Sequence, residues 1–167
     1  FALAELDTEA RTLTPIQTPY PYVDGLHGSD GIVVFLAGSA TQPTTLVSYD
    51  LASRSLSTIK QAFDVTVDEA YFSVPEPIVF PTSDGKSAYG FYYPPQNADF
   101  MAPEGEKPPL MVISHGGPTS MAITVLRYNI QYWTSRGFAL LDVNYGGSSG
   151  FGREYCTPLD GKWGVGG

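Results

Sequence analysis

The sequence predicts a chain of mixed β plus α/β class, with one or more terminal β-propeller blades followed by the first strands and helix of an α/β domain. Three observations carry this expectation. A blade-length internal repeat lies near the N-terminus, an Asp-Gly hairpin signal follows it, and a strand–helix–strand pattern fills the last third. The bulk composition agrees: 43% hydrophobic and 16% charged residues suit a folded chain. Eleven Tyr and nine Phe favour strands, and 14 Pro with 18 Gly imply many turns and few long helices.

The repeat has an offset of 43 residues, aligning Asp7 with Asp50, Arg11 with Arg54 and Leu13 with Leu56. Each copy runs as an apolar–polar strand ending in Asp, a polar turn, then a second short strand. A period of 40–45 residues is that of a four-stranded propeller blade. Between the copies, Gly31 to Gly38 encloses an apolar run expected to be a buried strand. His27 is expected on an exposed turn formed by Leu26 to Gly31. Residues 1–60 are therefore expected to be blade material, too little to close a ring.

The texture changes after Lys60. Pro75-Glu76-Pro77 marks a crossing linker, and strands at Ile78-Val79-Phe80-Pro81 and 88–93 flank Ser83-Asp84-Gly85-Lys86, a hairpin signal. Pro94-Pro95 should stop the second of these strands. A compact apolar run, Leu110 to Ser114, predicts a buried strand. Ile123, Leu126, Ile130 and Trp133 then share one face of a predicted helix, which Arg136 and Gly137 should end. Phe138 to Val143 predicts a further buried strand. The order strand–helix–strand implies a parallel pair.

Ligands of such sheets bind beyond the carboxyl ends of the strands. Two glycine-rich segments fall there: His115-Gly116-Gly117-Pro118, and the run from Asn144 through Tyr145, Gly146, Ser148 and Gly150 to Gly152. The first has two readings. It is a tight strand-to-helix turn, or it is an oxyanion loop of the α/β-hydrolase type, in which a backbone N–H after the third strand faces developing negative charge. Pro118 has no N–H, so the donor in the second reading is Gly116 or Gly117. Gly146-Gly147-Ser148-Ser149-Gly150 fits the Gly-x-Ser-x-Gly pattern. No helical period follows it and no His lies downstream, so Ser148 is expected to shape the site rather than attack a substrate. Gly161-Lys162 precedes Trp163 and does not form a phosphate loop.

Several classes are excluded on bulk grounds. A net charge of −8 without a basic stripe disfavours nucleic acid. Cys156 is the single cysteine, which points to a reducing, cytoplasmic setting, and one Cys with two separated His offers no metal site. No cofactor is called for. No run of about 18 apolar residues predicts a membrane span. The chain opens on Phe1 and enters a strand pattern at once, an opening expected of a fragment.

Taken together, Pro75-Glu76-Pro77-Ile78, Asp84-Gly85, His115-Gly116-Gly117-Pro118, the Asn144–152 run with Phe151-Gly152-Arg153, and Trp163-Gly164 closely resemble the prolyl oligopeptidase family, in its dipeptidyl aminopeptidase/acylaminoacyl-peptidase branch. The resemblance implies a serine peptidase with an N-terminal propeller and a C-terminal α/β-hydrolase domain, acting on short peptides. It assigns residues 1–60 to the last blade or blades, 61–77 to the crossing linker, and 78–167 to the start of the hydrolase domain. It makes His115, Gly116 and Gly117 the oxyanion loop. Where some relatives carry Arg after Asn-Tyr, this chain has Gly146, so that Arg's role does not transfer. The family's nucleophile, acid and base would all follow Val165. None of the triad is present, and the chain alone is expected to be inactive. A carboxylesterase-like fragment and a non-catalytic truncated form are the alternatives, and open sheet edges leave self-association as a route for the last.

Overall fold

The computed structural model describes residues 2–83, 85–117 and 119–161. Asp84, Pro118 and the Trp163-Gly164 pair of the sequence motifs lie outside them. The described chain is mostly sheet, and it divides into two compact units. One comprises Phe1–Val67 together with Thr124–Arg127; the other comprises Asp68–Ile123 and Tyr128–Gly167.

The first unit contains a hairpin, β1 (Leu3–Asp7) and β2 (Thr12–Ile16), and a four-stranded antiparallel meander of β3 (Tyr22–Ser29), β4 (Ile32–Ser39), β5 (Gln42–Asp50) and β6 (Ser55–Gln61). Strand order in the meander follows chain order, which is the build of a propeller blade. The 43-residue repeat has a structural counterpart. Asp7 pairs with Thr12 across β1–β2, and Asp50 pairs with Ser55 across β5–β6. In each turn the Asp Oδ1 accepts two backbone N–H groups, from Glu9 and Ala10 or from Ala52 and Ser53, at 2.8–2.9 Å. Arg11 and Arg54 both sit at φ 54°, in the left-handed region. The repeated Asp is thus an Asx-type acceptor that closes a turn, and the repeated Arg occupies the position where the chain reverses.

Two expectations for this unit are corrected. His27 lies within β3 beside a register shift between Asp24 and His27, not in a turn; the turn is the two-residue Asp30-Gly31, with φ of 51° and 79°. Positive φ at both positions is the hairpin geometry that matches strand twist. His27 is exposed as expected. The run after Gly31 is a half-buried strand, since Ile32 and Leu36 remain exposed while Phe35 and Ala37 are buried. Alternation along β4 places every second residue in a core of Leu3, Val23, Phe35, Ala37, Val47 and Tyr49. Burying Phe35, at 1% exposure, contributes about 1.5–3 kcal/mol. The exposed Arg54–Glu5 ion pair at 3.7 Å contributes about 0–1 kcal/mol, so packing rather than charge sets the core.

The second unit is a mixed sheet of β7 (Glu76–Pro81), β8 (Ser87–Tyr93), β10 (Ala139–Asn144) and β9 (Leu110–Ser114), in that spatial order. β7–β8 and β8–β10 are antiparallel, and β10–β9 is parallel. β7 begins inside the segment expected to be linker, because Glu76 and Pro77 already pair with Tyr92 and Phe91. β8 stops at Tyr93, just before Pro94-Pro95.

The helix between the parallel strands is shorter than the periodicity predicts. α1 spans Tyr128–Thr134 only. Leu126, expected on its face, instead donates its N–H to the carbonyls of Ser39 and Gln42 in the first unit, and Val125 packs where a Cβ on Gly38 would sit. Three β-branched residues in a row, Ile123-Thr124-Val125, favour this extended path over a helical turn. Trp133 is 37% exposed, whereas Ile130 is buried with Tyr93 and Leu140.

The end of α1 is as expected. Phe138 N–H reaches Trp133 O, Gly137 N–H reaches Thr134 O, and Gly137 has φ 87°. That is a Schellman motif, and the edge-on Trp133–Phe138 ring contact at 5.2 Å supplies its apolar staple.

β10 is buried along most of its length. β9 is not the fully buried strand expected: Met111 and Ile113 pack on the core, while Leu110 and Val112 are more than half exposed. No helix among the described residues is long and apolar enough to cross a membrane.

The Asx turns make a pH prediction. The N–H of Ser53, helped by that of Ala52, holds the Asp50 carboxyl below its ordinary pKa against a smaller opposing effect of desolvation. A carboxyl depressed on folding contributes stability that is complete above its unfolded pKa and lost as pH falls through the folded value. Asp50→Asn should therefore lower the urea midpoint near about pH 7, and the gap from the parent should narrow as pH falls through the carboxylate's folded value. A gap that keeps its size as pH falls would contradict this.

Candidate functional site: a glycine-rich rim at one end of the parallel strand pair

Parallel pairing decides where the site can be. Ser114, the last residue of β9, lies opposite Val143 of β10, so the loops leaving both strands emerge at one end. The first loop is His115, Gly116 and Gly117; the second starts at Asn144. His115 is half-buried, and Gly116 and Gly117 are exposed. The Gly116 and Gly117 N–H groups have no acceptor among the described residues. Gly117 has φ 71°, a conformation that costs other residues about 1–2 kcal/mol.

The second loop is tied to the first at several points. The Tyr145 ring stacks on the His115 imidazole at 4.5 Å and 22°. The Tyr145 hydroxyl lies 3.3 Å from His115 Nδ1, 3.2 Å from His115 O and 3.3 Å from Gly117 O. His115 Nε2 lies 2.7 Å from Ser148 Oγ, which donates to Tyr145 O at 2.7 Å. Asn144 is fully buried. Its Oδ1 accepts the Ala122 N–H at 2.8 Å, while its buried Nδ2 has no hydrogen-bond partner among the described residues. Tyr155 donates its hydroxyl to Asn144 O at 2.6 Å, and burial raises the pKa of that phenol, which keeps it a donor. Gly146 and Gly150 stay exposed at the loop surface; a Cβ on Gly150, already at φ 90°, would come within 3.1 Å of Met121 Sδ.

The geometry therefore gathers His115, Gly116, Gly117, Asn144, Tyr145 and Ser148 at one rim. It also brings in residues that spacing did not single out. Ser149 donates its N–H to Ser120 O at 3.0 Å and its hydroxyl to Thr119 O, and Gly147 N–H reaches Tyr155 O at 2.8 Å. Nothing in the sequence marks these stitches, because they join backbone carbonyls more than 25 residues away or, for Tyr155, across a loop.

The Gly-x-Ser-x-Gly match is resolved by exposure and connectivity. Ser148 is 0% exposed, so no substrate carbonyl can reach its hydroxyl. A short helix does follow, α2 (Arg153–Cys156), contrary to expectation. Ser148 does not open it, since Gly150 and Gly152, both at φ 90°, intervene. Among the described residues no group of three or more His, Cys, Asp or Glu could hold a metal ion.

A propeller-type blade in one unit, and in the other a mixed sheet whose third strand in chain order ends in a glycine-rich donor turn, define a class that comparison makes specific. No family model matches the chain. It is 29% identical over 153 residues to the uncharacterized peptidase YuxL of Bacillus subtilis, covering 90% of this chain and 22% of that protein. It is 31% identical to dipeptidyl aminopeptidase BIII of Pseudoxanthomonas mexicana, covering 79% of this chain and 19% of that one. A solved puromycin-hydrolysing peptidase of Mycobacterium tuberculosis superposes with a TM-score of 0.89 at 34% identity, covering 95% of this chain and 24% of its own. The chain is similar to members of the prolyl oligopeptidase family, and it spans about a fifth to a quarter of their length.

The two glycines of the turn separate by substitution. Gly116 has no positive φ and no atom within 4 Å of an added Cβ, so Gly116→Ala should leave thermal stability within about 0.5 kcal/mol. Gly117→Ala should lose about 1–2 kcal/mol, because Ala resists the left-handed conformation. Equal losses in thermal denaturation would contradict the backbone geometry.

Proposed function

We propose that the second unit is the opening of an α/β-hydrolase domain, and that His115-Gly116-Gly117 is its oxyanion loop. In this reading the chain is part of a serine peptidase that releases aminoacyl, acylaminoacyl or dipeptidyl groups from short peptides through an acyl-enzyme. The observation that carries the reading is the pair of exposed, unpartnered N–H groups of Gly116 and Gly117 directly after the third strand, β9. Both donors are exposed and open to an incoming acceptor, as an oxyanion loop requires.

The chemistry follows from charge. When a nucleophile adds to a peptide carbonyl, the oxygen becomes anionic, and a fixed N–H aimed at it is worth about 2.7–4 kcal/mol. The Tyr145 hydroxyl lies 3.2–3.3 Å from both His115 O and Gly117 O, and its single proton is shared between these two carbonyls of the turn. The names of the matched relatives, a dipeptidyl aminopeptidase and a puromycin-hydrolysing peptidase, support a substrate with a short aminoacyl or peptidyl group. The blade-like first unit favours a peptidase over a carboxylesterase.

In this reading residues 1–60 are the terminal blade material, 61–77 the crossing linker, whose last two residues already join β7, and 78–167 the hydrolase part. The unpaired cysteine supports a cytoplasmic setting.

The triad is not among these 167 residues. Two histidines are present. His115 has both ring nitrogens engaged within the rim, and His27 is a strand residue of the blade unit. The purified chain should therefore show no hydrolysis of alanyl- or acetylalanyl-p-nitroanilide above background. Turnover that a serine-directed phosphonate abolishes would overturn the assignment. Reading the coding sequence beyond Gly167 tests the whole-protein reading: an in-frame Gly-x-Ser-x-Gly followed by a late His supports it, and a stop codon favours a non-catalytic product.

A further inference from the structure

The stretch between the glycine-rich turn and α1 is divided between the two units. Thr124–Arg127 packs within the first unit, although the residues on either side, up to Ile123 and from Tyr128 on, belong to the second. The chain thus leaves the second unit for four residues and returns to it. Two sets of contacts hold this excursion.

The first set is a seat on the β4–β5 hairpin. Val125 and Leu126 are buried. The Leu126 N–H bonds Ser39 O at 2.8 Å and Gln42 O at 3.3 Å. Ser39 and Gln42 face each other at the end of that hairpin, beside a register shift, so one donor ties both strand ends. Gly38 completes the seat. A Cβ there would stand 2.9 and 3.1 Å from the two γ-carbons of Val125, closer than packed carbons come, and 3.4 Å from Pro43 O. Gly38 has no positive φ. The seat therefore uses its missing Cβ and not its backbone freedom.

The second set is a row of stitches on the other side of Ile123. Ala122, also buried, donates its N–H to Asn144 Oδ1 at 2.8 Å. Ser120 O accepts the Ser149 N–H at 3.0 Å, and Thr119 O accepts the Ser149 hydroxyl. Asn144 and Ser149 belong to the second rim loop. Ile123 and Thr124 alone lie between the last stitch and Val125, and a chain reaches at most about 3.6 Å per residue. So short a connection has little slack, and displacement at one end pulls on the other.

We infer that residues 119–127 form a strap that couples the β4–β5 hairpin of the first unit to the rim of the second: when Val125 leaves its seat on Gly38, the Ala122 and Ser149 stitches open with it. The strap goes beyond the oxyanion-loop reading and does not depend on it. It is a route by which a change in the blade unit reaches the rim.

Amide hydrogen exchange on the whole 15N-labelled 167-residue chain tests the strap through two substitutions. Gly38→Ala puts a Cβ into the seat, and Val125→Ala empties it. Each alone should speed exchange at Leu126, Ala122 and Ser149 by about tenfold. Combined, the added methyl takes up space that the valine methyls release, and all three amides should return to within about threefold of the parent. Gly28→Ala, on β3, adds a Cβ that meets nothing closer than 3.8 Å and should leave all three unchanged. The Ser135 amide, bonded to Gln131 O within the second unit, should hold steady in every variant.

Acceleration at Leu126 with Ala122 and Ser149 unmoved would overturn the inference, because the seat would then be local to the blade. Single effects that add in the double variant instead of cancelling would overturn it as well, since the Gly38–Val125 contact would not be the seat. Equal acceleration at Ser135 would signal a general loss of stability and would also count against the strap. If Gly38→Ala unfolds the first unit, Val125→Ala alone still decides between coupled and uncoupled amides. None of these readouts needs turnover. A strap that passes while the full-length gene product fails to hydrolyse peptides would refute the functional reading and leave the strap standing.

Discussion

Parallel pairing of β9 with β10 is the constraint on which the rest of the second unit depends. An antiparallel partner would send the two following loops to opposite ends of the sheet. Here both leave from the same end, one residue apart in register. Their glycines then allow close approach, and the polar side chains between them can bond across the gap. The connection that makes the pairing parallel is economical, with a helix of seven residues closed by a Schellman motif at Gly137.

The rim is built from bonds to backbone, not from a cluster of charges. Ser148, Ser149, Tyr145, Tyr155 and Asn144 each engage a main-chain carbonyl or N–H of the neighbouring loop or of their own. Such bonds fix the path of a loop directly, which side-chain ion pairs at a surface do poorly. They also account for the burial of two polar groups, Asn144 and Ser148, at the end of an otherwise apolar strand region. The buried Nδ2 of Asn144, unpaired among the described residues, is the exception, and sites of this kind are where native proteins tolerate an unsatisfied donor.

Much of the architecture was legible in the sequence because it rests on local chemistry. The Asp and Arg of the 43-residue repeat mark two turns with the same acceptor geometry and the same φ. Gly137 marks the end of α1, and Pro94 marks the end of β8. What failed was whatever depended on partners distant in sequence. Periodicity placed Leu126 on a helix, but its N–H is taken by Ser39 and Gln42, and no local pattern announces that bond. β9 looked buried because it is apolar throughout, yet one of its faces is open. At the site, the glycines were visible as a motif. Ser148 was expected to shape the site rather than attack, and its burial agrees; which partners it and Tyr145 hold was not legible, since contacts depend on distances that spacing does not contain.

The central claim is that the rim holds a turn whose donors are kept free by neighbours that are not. Amide hydrogen exchange on the intact chain, resolved residue by residue, tests it most directly. The account predicts that the Gly116 and Gly117 amides exchange near the unprotected rate, while those of Ala122, Ser148 and Ser149 across the rim are protected. Protection at Gly116 and Gly117, or its absence at Ala122, Ser148 and Ser149, would contradict it.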